Sequence, residues 1–220
     1  MTFSKQWEYA YSSKKHLSIW PWSDLVSLVN RYVDSKKKQI RILELGCGAG
    51  ANIPFFIKKG FKYYGIDGSK TIVKNIKNKF PEIKDNIIVG DFTNEVNFKG
   101  KFDLIIDRAS LTHNSTPEVK KCVEIIYNKM NYDSKYIGID WFSTKHSDYK
   151  NYNKIVDTYT RTSFTKGDFE NIGMVHFSNK KHLEEIFKKF EFITLEHKVV
   201  TKVKPELKKL AYWNFVLQKK

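Results

Sequence analysis

Two kinds of hydrophobic pattern alternate along most of the chain. Helical spacing of apolar residues predicts five helices, at 21–35, 51–59, 69–80, 116–130 and 178–189. Five short apolar runs typical of buried strands lie at 40–45, 61–66, 86–89, 102–106 and 135–141. Ser23 and Ser69 are placed to cap two of the helices, and Thr116 followed by Pro117 marks the start of another. Strands separated by helices of this length predict a parallel, doubly wound sheet.

The pattern changes after residue 141. Segment 142–177 is polar and aromatic and shows no regular period, so we expect an irregular insert there. Two further strands are predicted at 191–200 and 210–218, joined by a short lysine-rich turn that contains Pro205. Since so short a connection cannot hold a crossover helix, this pair should be antiparallel. The predicted fold class is therefore α/β, a doubly wound, Rossmann-like, seven-stranded, mostly parallel sheet with a C-terminal antiparallel strand pair.

Composition excludes several classes of protein. No apolar stretch of the 220 residues approaches the length that spans a bilayer, and 1–15 lacks the apolar run of a secretory signal, so we expect no membrane insertion. Two cysteines, Cys47 and Cys122, suggest neither a disulfide framework nor a four-ligand zinc site. A cytoplasmic location is the simplest expectation.

The net charge of +15 would ordinarily suggest a polyanionic partner. Only four of the 39 basic residues are arginine, and the lysines are scattered along solvent-facing stretches. A diffuse lysine coat is more typical of a solvated surface than of a nucleic-acid groove. We therefore expect no nucleic-acid partner, although an attraction for small anionic substrates remains consistent with the charge.

A glycine-rich turn follows the first predicted strand. Segment 42–52 reads ILELGCGAGAN, in which Gly46, Gly48 and Gly50 lead from a strand into a helix N-terminus, where free backbone N–H groups suit a nucleotide or a carboxylate. Gly46, Gly48 and Ala51 also satisfy the loose dinucleotide fingerprint. On this feature alone, an NAD-type enzyme stays open.

Carboxylates at the ends of three consecutive strands narrow the kind of ligand that this site could bind. Glu44 precedes the first glycine by two residues, Asp67 ends the second strand, and Asp91 follows the third strand with Phe92 behind it. Asp67 stands where an acid binds both ribose hydroxyls, and Asp91 is placed to accept from an adenine amino group. Together the three acids predict a ligand-binding rim.

These segments resemble the class I S-adenosylmethionine-dependent methyltransferases. Residues 43–50 look like that family's first motif, Asp67 like its ribose-binding acid, 90–92 like its adenine motif and 102–108 like its fourth-strand motif. The resemblance implies S-adenosylmethionine as cofactor. It implies the following cofactor-binding residues: Trp20, Glu44, Gly46, Cys47, Gly48, Gly50, Asn52, Asp67, Gly68, Ser69, Asp91, Phe92 and Asp107.

The resemblance also implies how the chain is organised into segments. We expect a single methyltransferase domain over 1–220, with an N-terminal lid and helix at 1–38 and a cofactor-binding core at 39–142. A substrate-side insert at 143–178 and a C-terminal helix with antiparallel strands at 179–220 complete it. Trp20-Pro21-Trp22 and the aromatic insert are the expected lid, unless those aromatics simply pack as a satellite core.

Candidate acceptor-side residues lie after the fourth and fifth strands. His113, Asp140 and His146 are the candidate catalytic bases, with His113 first because it is nearest in sequence to a cofactor motif. Arg108 is expected either to hold an anionic group of the substrate or to form a salt bridge that orders its loop. The expected substrate-binding residues are Arg108, His113, Trp141, Arg161 and His176.

No catalytic metal is expected, because Asp140 is followed by Trp141 and not by the asparagine of a catechol-type site. Residues 107–110 read DRAS, not the Asn/Asp-Pro-Pro-Tyr/Phe loop of amino-methylating DNA enzymes. The likeness is to the small-molecule branch, including members found among surface-polysaccharide genes. We expect methyl transfer to a small polar acceptor such as a sugar or sugar-nucleotide hydroxyl or amine. A nucleic-acid methyltransferase and a non-catalytic S-adenosylmethionine-binding module are the alternatives.

Overall fold

The computed structural model describes residues 5–14, 17–34 and 39–220. Within them, seven strands form the main sheet: β1 (Arg41–Leu45), β2 (Lys62–Asp67), β3 (Ile87–Val89), β4 (Phe102–Arg108), β5 (Met130–Phe142), β9 (Phe190–Lys202) and β10 (Lys208–Lys219). Their order across the sheet is β3-β2-β1-β4-β5-β10-β9. The first five pair in parallel, whereas β10 is antiparallel to both β5 and β9. The predicted fold class is confirmed.

Helices cover both faces of this sheet. They are α1 (Lys5–Ser12), α2 (Ser23–Tyr32), α3 (Ile53–Lys58), α4 (Lys70–Lys79), α5 (Thr116–Lys129) and α6 (Lys180–Ile186). Five were predicted, with ends that differ by a few residues; the expected end of α2 at Ser35 and the turn at 36–38 lie outside the described residues. Helix α1 was not predicted.

The starts of α4, α2 and α5 differ in their capping. Ser69 caps α4 as predicted, its hydroxyl accepting from the backbone N–H of Ile72 at 3.1 Å. Ser23 does not cap α2, because the helix already begins at Ser23 and Trp22 occupies the cap position without a side-chain hydrogen bond. Helix α5 begins after Ser115, whose backbone N–H donates to Glu118 at 2.8 Å.

The insert between β5 and α6 is more regular than predicted. In the described chain it contains β6 (Tyr152–Ile155), β7 (Thr160–Phe164) and β8 (Val175–His176), which form a small antiparallel sheet. Strands of two to five residues are too short to show a clear period, which explains the wrong expectation of an irregular segment. Its aromatic residues pack with one another and with Phe142 as a separate apolar cluster.

The direction of the strands determines at which edge of the sheet a ligand-binding site can form. The carboxyl ends of β1 to β5 meet at one edge, since these strands run in parallel. That edge is where open α/β sheets bind ligands. Among the described residues, no helix has the length and apolar character needed to cross a membrane.

Candidate active site

A cavity of about 560 Å³ opens at the carboxyl edge of the sheet. Its size is in the range of small-molecule sites. The loops after β1 to β4 and the carboxyl end of β5 line it, together with α1 and part of the insert. Nine of the expected cofactor-binding residues line this cavity: Glu44, Gly46, Cys47, Gly48, Asn52, Asp67, Gly68, Asp91 and Phe92.

Glu44 lines the cavity and is buried. Its carboxylate accepts from Asn52 Nδ2 at 2.7 Å and from the hydroxyl of Tyr63 at 2.5 Å. Burial raises the pKa of Glu44 to about 7, against the opposing effect of these two hydrogen bonds. A cationic ligand would therefore stabilise the ionised form of this carboxylate.

Asp67 holds the glycine-rich turn after β1 through hydrogen bonds. Its two carboxylate oxygens accept from the backbone N–H groups of Gly48 and Ser69, each at 2.9 Å. Burial raises the pKa of Asp67 to about 6. Each oxygen retains a second lone pair, so the carboxylate can accept a pair of neighbouring hydroxyl groups such as those of a ribose.

Gly46 is required by geometry. Its φ of +63° lies in the left-handed region, and a Cβ added there would come within 2.3 Å of Ser110 Cβ. The Ser110 hydroxyl in turn donates to the carbonyl of Leu45 at 2.6 Å. The glycine therefore allows the loop after β1 to pack against the loop after β4.

Asp91 has a double role. Its carboxylate accepts from the backbone N–H and the hydroxyl of Thr93 at 3.0 and 2.6 Å, which stabilises the turn after β3. The residue and the neighbouring Phe92 also line the cavity. They lie beyond Asp67 along the same edge, since β3 pairs with β2.

Four other expected cofactor-binding residues do not line the cavity. Trp20 is 77% exposed and lies outside the cavity, whereas Trp22 lines it. Gly50 packs behind the loop against Ile53, and Ser69 caps α4. Asp107 is fully buried, where it binds the loop after β4 and not the cavity.

The buried Asp107 carboxylate holds the loop after β4 in place through hydrogen bonds. Its carboxylate accepts from the backbone N–H groups of Ser110 and Leu111, each at 3.0 Å, and from the Trp141 indole N–H at 2.7 Å. Since these donors occupy it, Asp107 is not available as a ligand of a catechol-type metal. The expectation that no catalytic metal is used stays a prediction.

His113 lines the cavity on the β4 side of β1, whereas Asp67 lies on the β2 side. Its Nδ1 is 3.1 Å from the carbonyl oxygen of Met174, which requires the proton on Nδ1. In the neutral ring, Nε2 is then the proton-accepting nitrogen. The ring packs edge-on against Trp7 and Phe142, with centroid distances of 5.1 and 5.8 Å.

Arg108 already has partners. Its guanidinium pairs with Asp140 at 2.9 Å and lies 3.3 Å above the Trp22 ring, and all three residues line the cavity. Burial raises the pKa of Asp140 despite this ion pair. The salt bridge that orders the loop is thus present, which weakens the expectation that Arg108 is reserved for an anionic substrate.

Four other acceptor-side candidates do not line the cavity. Trp141 lies in the core, and His176 is buried between Thr160 and His182, at 3.1 and 3.2 Å. Arg161 binds the carbonyl of Asp157 and the hydroxyl of Tyr149 inside the insert, each at 2.8 Å. His146 is buried, with its Nδ1 accepting from the N–H of Asp148 at 3.1 Å. Short strands and turns fix these side chains, and their placement could not be read from the sequence.

Several cavity residues were missed. They include Trp7, Tyr11, Asp168, Phe169 and Tyr212. Trp7 and Tyr11 stand four residues apart, a helical spacing that could have indicated α1. Nothing in the sequence around Asp168 distinguishes it from other loop acids.

The arrangement is that of a Rossmann-like cofactor-binding domain, in which a strand-end acid and a glycine loop hold a nucleoside. Residues 42–133 match the family described as "Methyltransferase domain". This match covers less than half of the chain, and it bears out the predicted resemblance to the class I S-adenosylmethionine-dependent methyltransferases.

A curated relative matches over a shorter stretch. A segment of 69 residues is 35% identical to ribosomal RNA small subunit methyltransferase A of Porphyromonas gingivalis, and it covers 30% of this chain. The match spans 27% of the length of that relative.

Solved structures match over nearly the whole chain. An S-adenosylmethionine-dependent methyltransferase from Methanosarcina mazei has a TM-score of 0.69 at 15% identity, covering 92% of this chain and 99% of that one. One from Clostridium acetobutylicum has a TM-score of 0.65 at 17% identity, with 96% of both chains covered. At these identities the likeness shows the fold.

Proposed function

We propose that the protein transfers the methyl group of S-adenosylmethionine to a hydroxyl or amine of a small polar acceptor. The observation that carries this proposal is the continuous cavity, which joins the buried carboxylates Glu44 and Asp67 to His113 and Arg108. A cavity of about 560 Å³ can hold a nucleoside cofactor beside a small second ligand.

The residues at one end fit the cofactor. Asp67 would accept from the ribose hydroxyls, Glu44 would face the cationic amino-acid portion, and Asp91 with Phe92 would border the adenine. When bound, S-adenosylmethionine supplies an activated methyl group. The buried, partly protonated carboxylates are a sign of fit, because a cationic ligand rich in hydroxyl donors offsets the cost of ionising them.

The residues at the other end would serve the acceptor. His113 would remove the acceptor proton through Nε2, since its Nδ1 is held by the Met174 carbonyl. Asp140, paired with Arg108, is the second candidate base that lines the cavity. The aromatic wall around His113 would exclude water during transfer.

Finer parts of the proposal come from the sequence. They are a sugar or sugar-nucleotide acceptor of surface-glycan biosynthesis, a cytoplasmic location, and a single domain with its insert on the acceptor side. The insert does contribute Asp168 and Phe169 to the cavity, which supports that division of the chain.

RNA methylation is the second candidate function. The net charge of +15 and the match to a ribosomal RNA methyltransferase favour it. The lining of the cavity disfavours it, because carboxylates at both ends would repel a phosphate backbone.

Transfer of labelled methyl from S-adenosylmethionine to a panel of sugar nucleotides, small amines and RNA tests the proposal. We expect label in at least one small acceptor and none in RNA. Label in RNA alone would establish the second candidate. Cofactor binding without transfer to any acceptor would instead favour the non-catalytic module.

A further inference from the structure

The side chains that line the cavity are mainly acidic, although the protein as a whole is basic. Among the described residues that line it, the carboxylates are Glu44, Asp67, Asp91, Asp140 and Asp168, and the one permanent cation is Arg108. Since Arg108 is paired with Asp140, its charge is already compensated. In a protein of net charge +15, this lining selects for positively charged ligands.

Asp168 is the carboxylate at the acceptor end that the proposed cofactor does not explain. Its side chain is 50% exposed, and the Lys208 ammonium holds its Oδ2 from behind at 2.9 Å. Lys208 is itself fixed by the buried Asp148 at 3.1 Å, and the Asp168 backbone N–H donates to the same Asp148 oxygen at 2.7 Å. The position of Asp168 is therefore set from two directions.

A third buried group faces the same carboxylate. His146 Nε2 is buried without a hydrogen-bond partner among the described residues and lies 3.8 Å from Asp168 Oδ2. Because His146 Nδ1 accepts from a backbone N–H, the proton of the neutral ring is on Nε2, so this nitrogen is a donor and not a metal ligand. The Lys208 ammonium lies against both Asp148 and Asp168, where it would repel a metal ion. We therefore interpret His146, Asp148 and Lys208 as residues that position Asp168, and not as part of a metal site.

Aromatic rings also line the cavity. Phe142, Phe169 and Tyr212 pack together there, with the Phe142 ring 6.1 Å from that of Tyr212. The Phe142 ring is 4.6 Å from the Phe169 ring and 5.8 Å from the His113 ring, which links the wall beside Asp168 to the candidate base. Aromatic faces beside a carboxylate are the usual surroundings of a bound ammonium.

We propose that the acceptor is an amine, bound as its ammonium ion by Asp168 against these aromatic faces. This inference rests on the proposed function. The ammonium would lose one proton to His113 Nε2, and the lone pair released on nitrogen would attack the methyl carbon. As the carbon–nitrogen bond forms, the carbon–sulfur bond breaks and its electron pair stays on sulfur, which leaves the thioether and a methylated ammonium ion. Asp168 is thereby a specificity-determining residue.

Matched acceptor pairs test the inference. Glucosamine against glucose, benzylamine against benzyl alcohol, and ethanolamine phosphate against ethylene glycol phosphate differ in each pair by an amine in place of a hydroxyl. Binding is measured by calorimetry with S-adenosylhomocysteine present, and transfer is measured with labelled S-adenosylmethionine. We expect at least one amine to bind and to be methylated at least tenfold better than its alcohol partner.

Asp168→Asn is the test variant, and Asp85→Asn, an exposed aspartate away from the cavity, is its matched control. Asp168→Asn should raise the KM for the amine about tenfold or more, because a neutral amide replaces the charged partner. Its affinity for S-adenosylmethionine should stay unchanged, which separates acceptor recognition from misfolding.

Three results would overturn the inference: an alcohol preferred over its amine, an amine preference that survives in Asp168→Asn, or no amine bound or methylated by a cofactor-saturated protein. Each of them leaves the proposed cofactor use standing. Absence of S-adenosylmethionine binding would instead overturn the proposed function, and this inference with it.

Discussion

At the scale of single residues, the main features of the proposed cofactor site are the two buried carboxylates of Glu44 and Asp67. Glu44 and Asp67 are held by neutral donors, and burial raises their pKa values to about 7 and about 6. In the free protein, part of the population is therefore protonated near neutral pH. A ligand that brings positive charge and hydroxyl donors shifts both groups toward the ionised form.

The affinity for S-adenosylmethionine should therefore depend on pH. Because the bound state favours ionised carboxylates, affinity should rise as the pH rises through about 6 to 7, and binding below that range should release protons. Calorimetry in buffers of different ionisation enthalpy measures the released protons. The dependence should diminish in Glu44→Gln, whose neutral side chain no longer titrates. Affinity that falls over the same pH range would contradict this assignment.

His113 should matter for turnover and not for cofactor binding. We expect His113→Ala to lower kcat by roughly 10²–10⁴-fold, the usual contribution of a general base. His197→Ala is the control, since His197 is exposed on β9 and does not line the cavity. If His113→Ala keeps near-normal turnover across the pH range, Asp140 becomes the candidate base, because His146 and His176 lie outside the cavity.

Individual residues were predictable where strand ends fix their position. Glu44, Asp67 and Asp91 lie at the carboxyl ends of three strands that the apolar runs reveal, so their convergence could be read from the sequence. Asp168 and Tyr212 reach the cavity from a short insert and from the last strand. Their position depends on tertiary packing, which local patterns do not encode.

At the scale of elements, the main sheet was predictable because its strands are long apolar runs separated by helices. The short strands of the insert were not predictable, because they are too short to show a period. Helix α1 has only eight residues, and its one helical signal is the spacing of Trp7 and Tyr11. Helix α1 adds Trp7 and Tyr11 to the cavity wall, so the N-terminal cover lies partly in this helix and not only at Trp22.

The turn after β1 is the element on which the site depends most. Gly46→Ala should destabilise the protein by more than Gly60→Ala, although both glycines have positive φ, +63° and +74°. A Cβ at Gly60 meets nothing within 4 Å, so that variant should cost only the left-handed conformation, about 1–2 kcal/mol. At Gly46 the contact with Ser110 should add about 1–3 kcal/mol of overpacking. Urea unfolding of both variants makes the comparison, and equal losses would disprove the close approach of the two loops.

At the scale of the whole molecule, charge is divided between surface and cavity. The chain carries a net charge of +15, yet the cavity is lined by carboxylates. The sequence showed the excess of lysine, but only the folded structure shows that the excess does not extend into the site.

Binding of RNA should therefore be weak and dominated by salt. We expect affinity for a short RNA to fall steeply between 50 and 200 mM salt, about tenfold or more, because released counterions supply most of the free energy. Fluorescence anisotropy with two RNAs of unrelated sequence measures both salt dependence and selectivity. Tight, sequence-selective binding at physiological salt would place RNA methylation first.

The central claim is that the strand-end carboxylates bind S-adenosylmethionine, and calorimetric titration of this cofactor tests it most directly. Wild type should bind, and Asp67→Ala should lose about 1–3 kcal/mol of binding free energy, because the ribose hydroxyls lose their buried acceptor. Asp85→Ala, at an exposed position, should bind as wild type does. Unchanged affinity in Asp67→Ala, or tight binding of NADH by the wild type, would contradict the account.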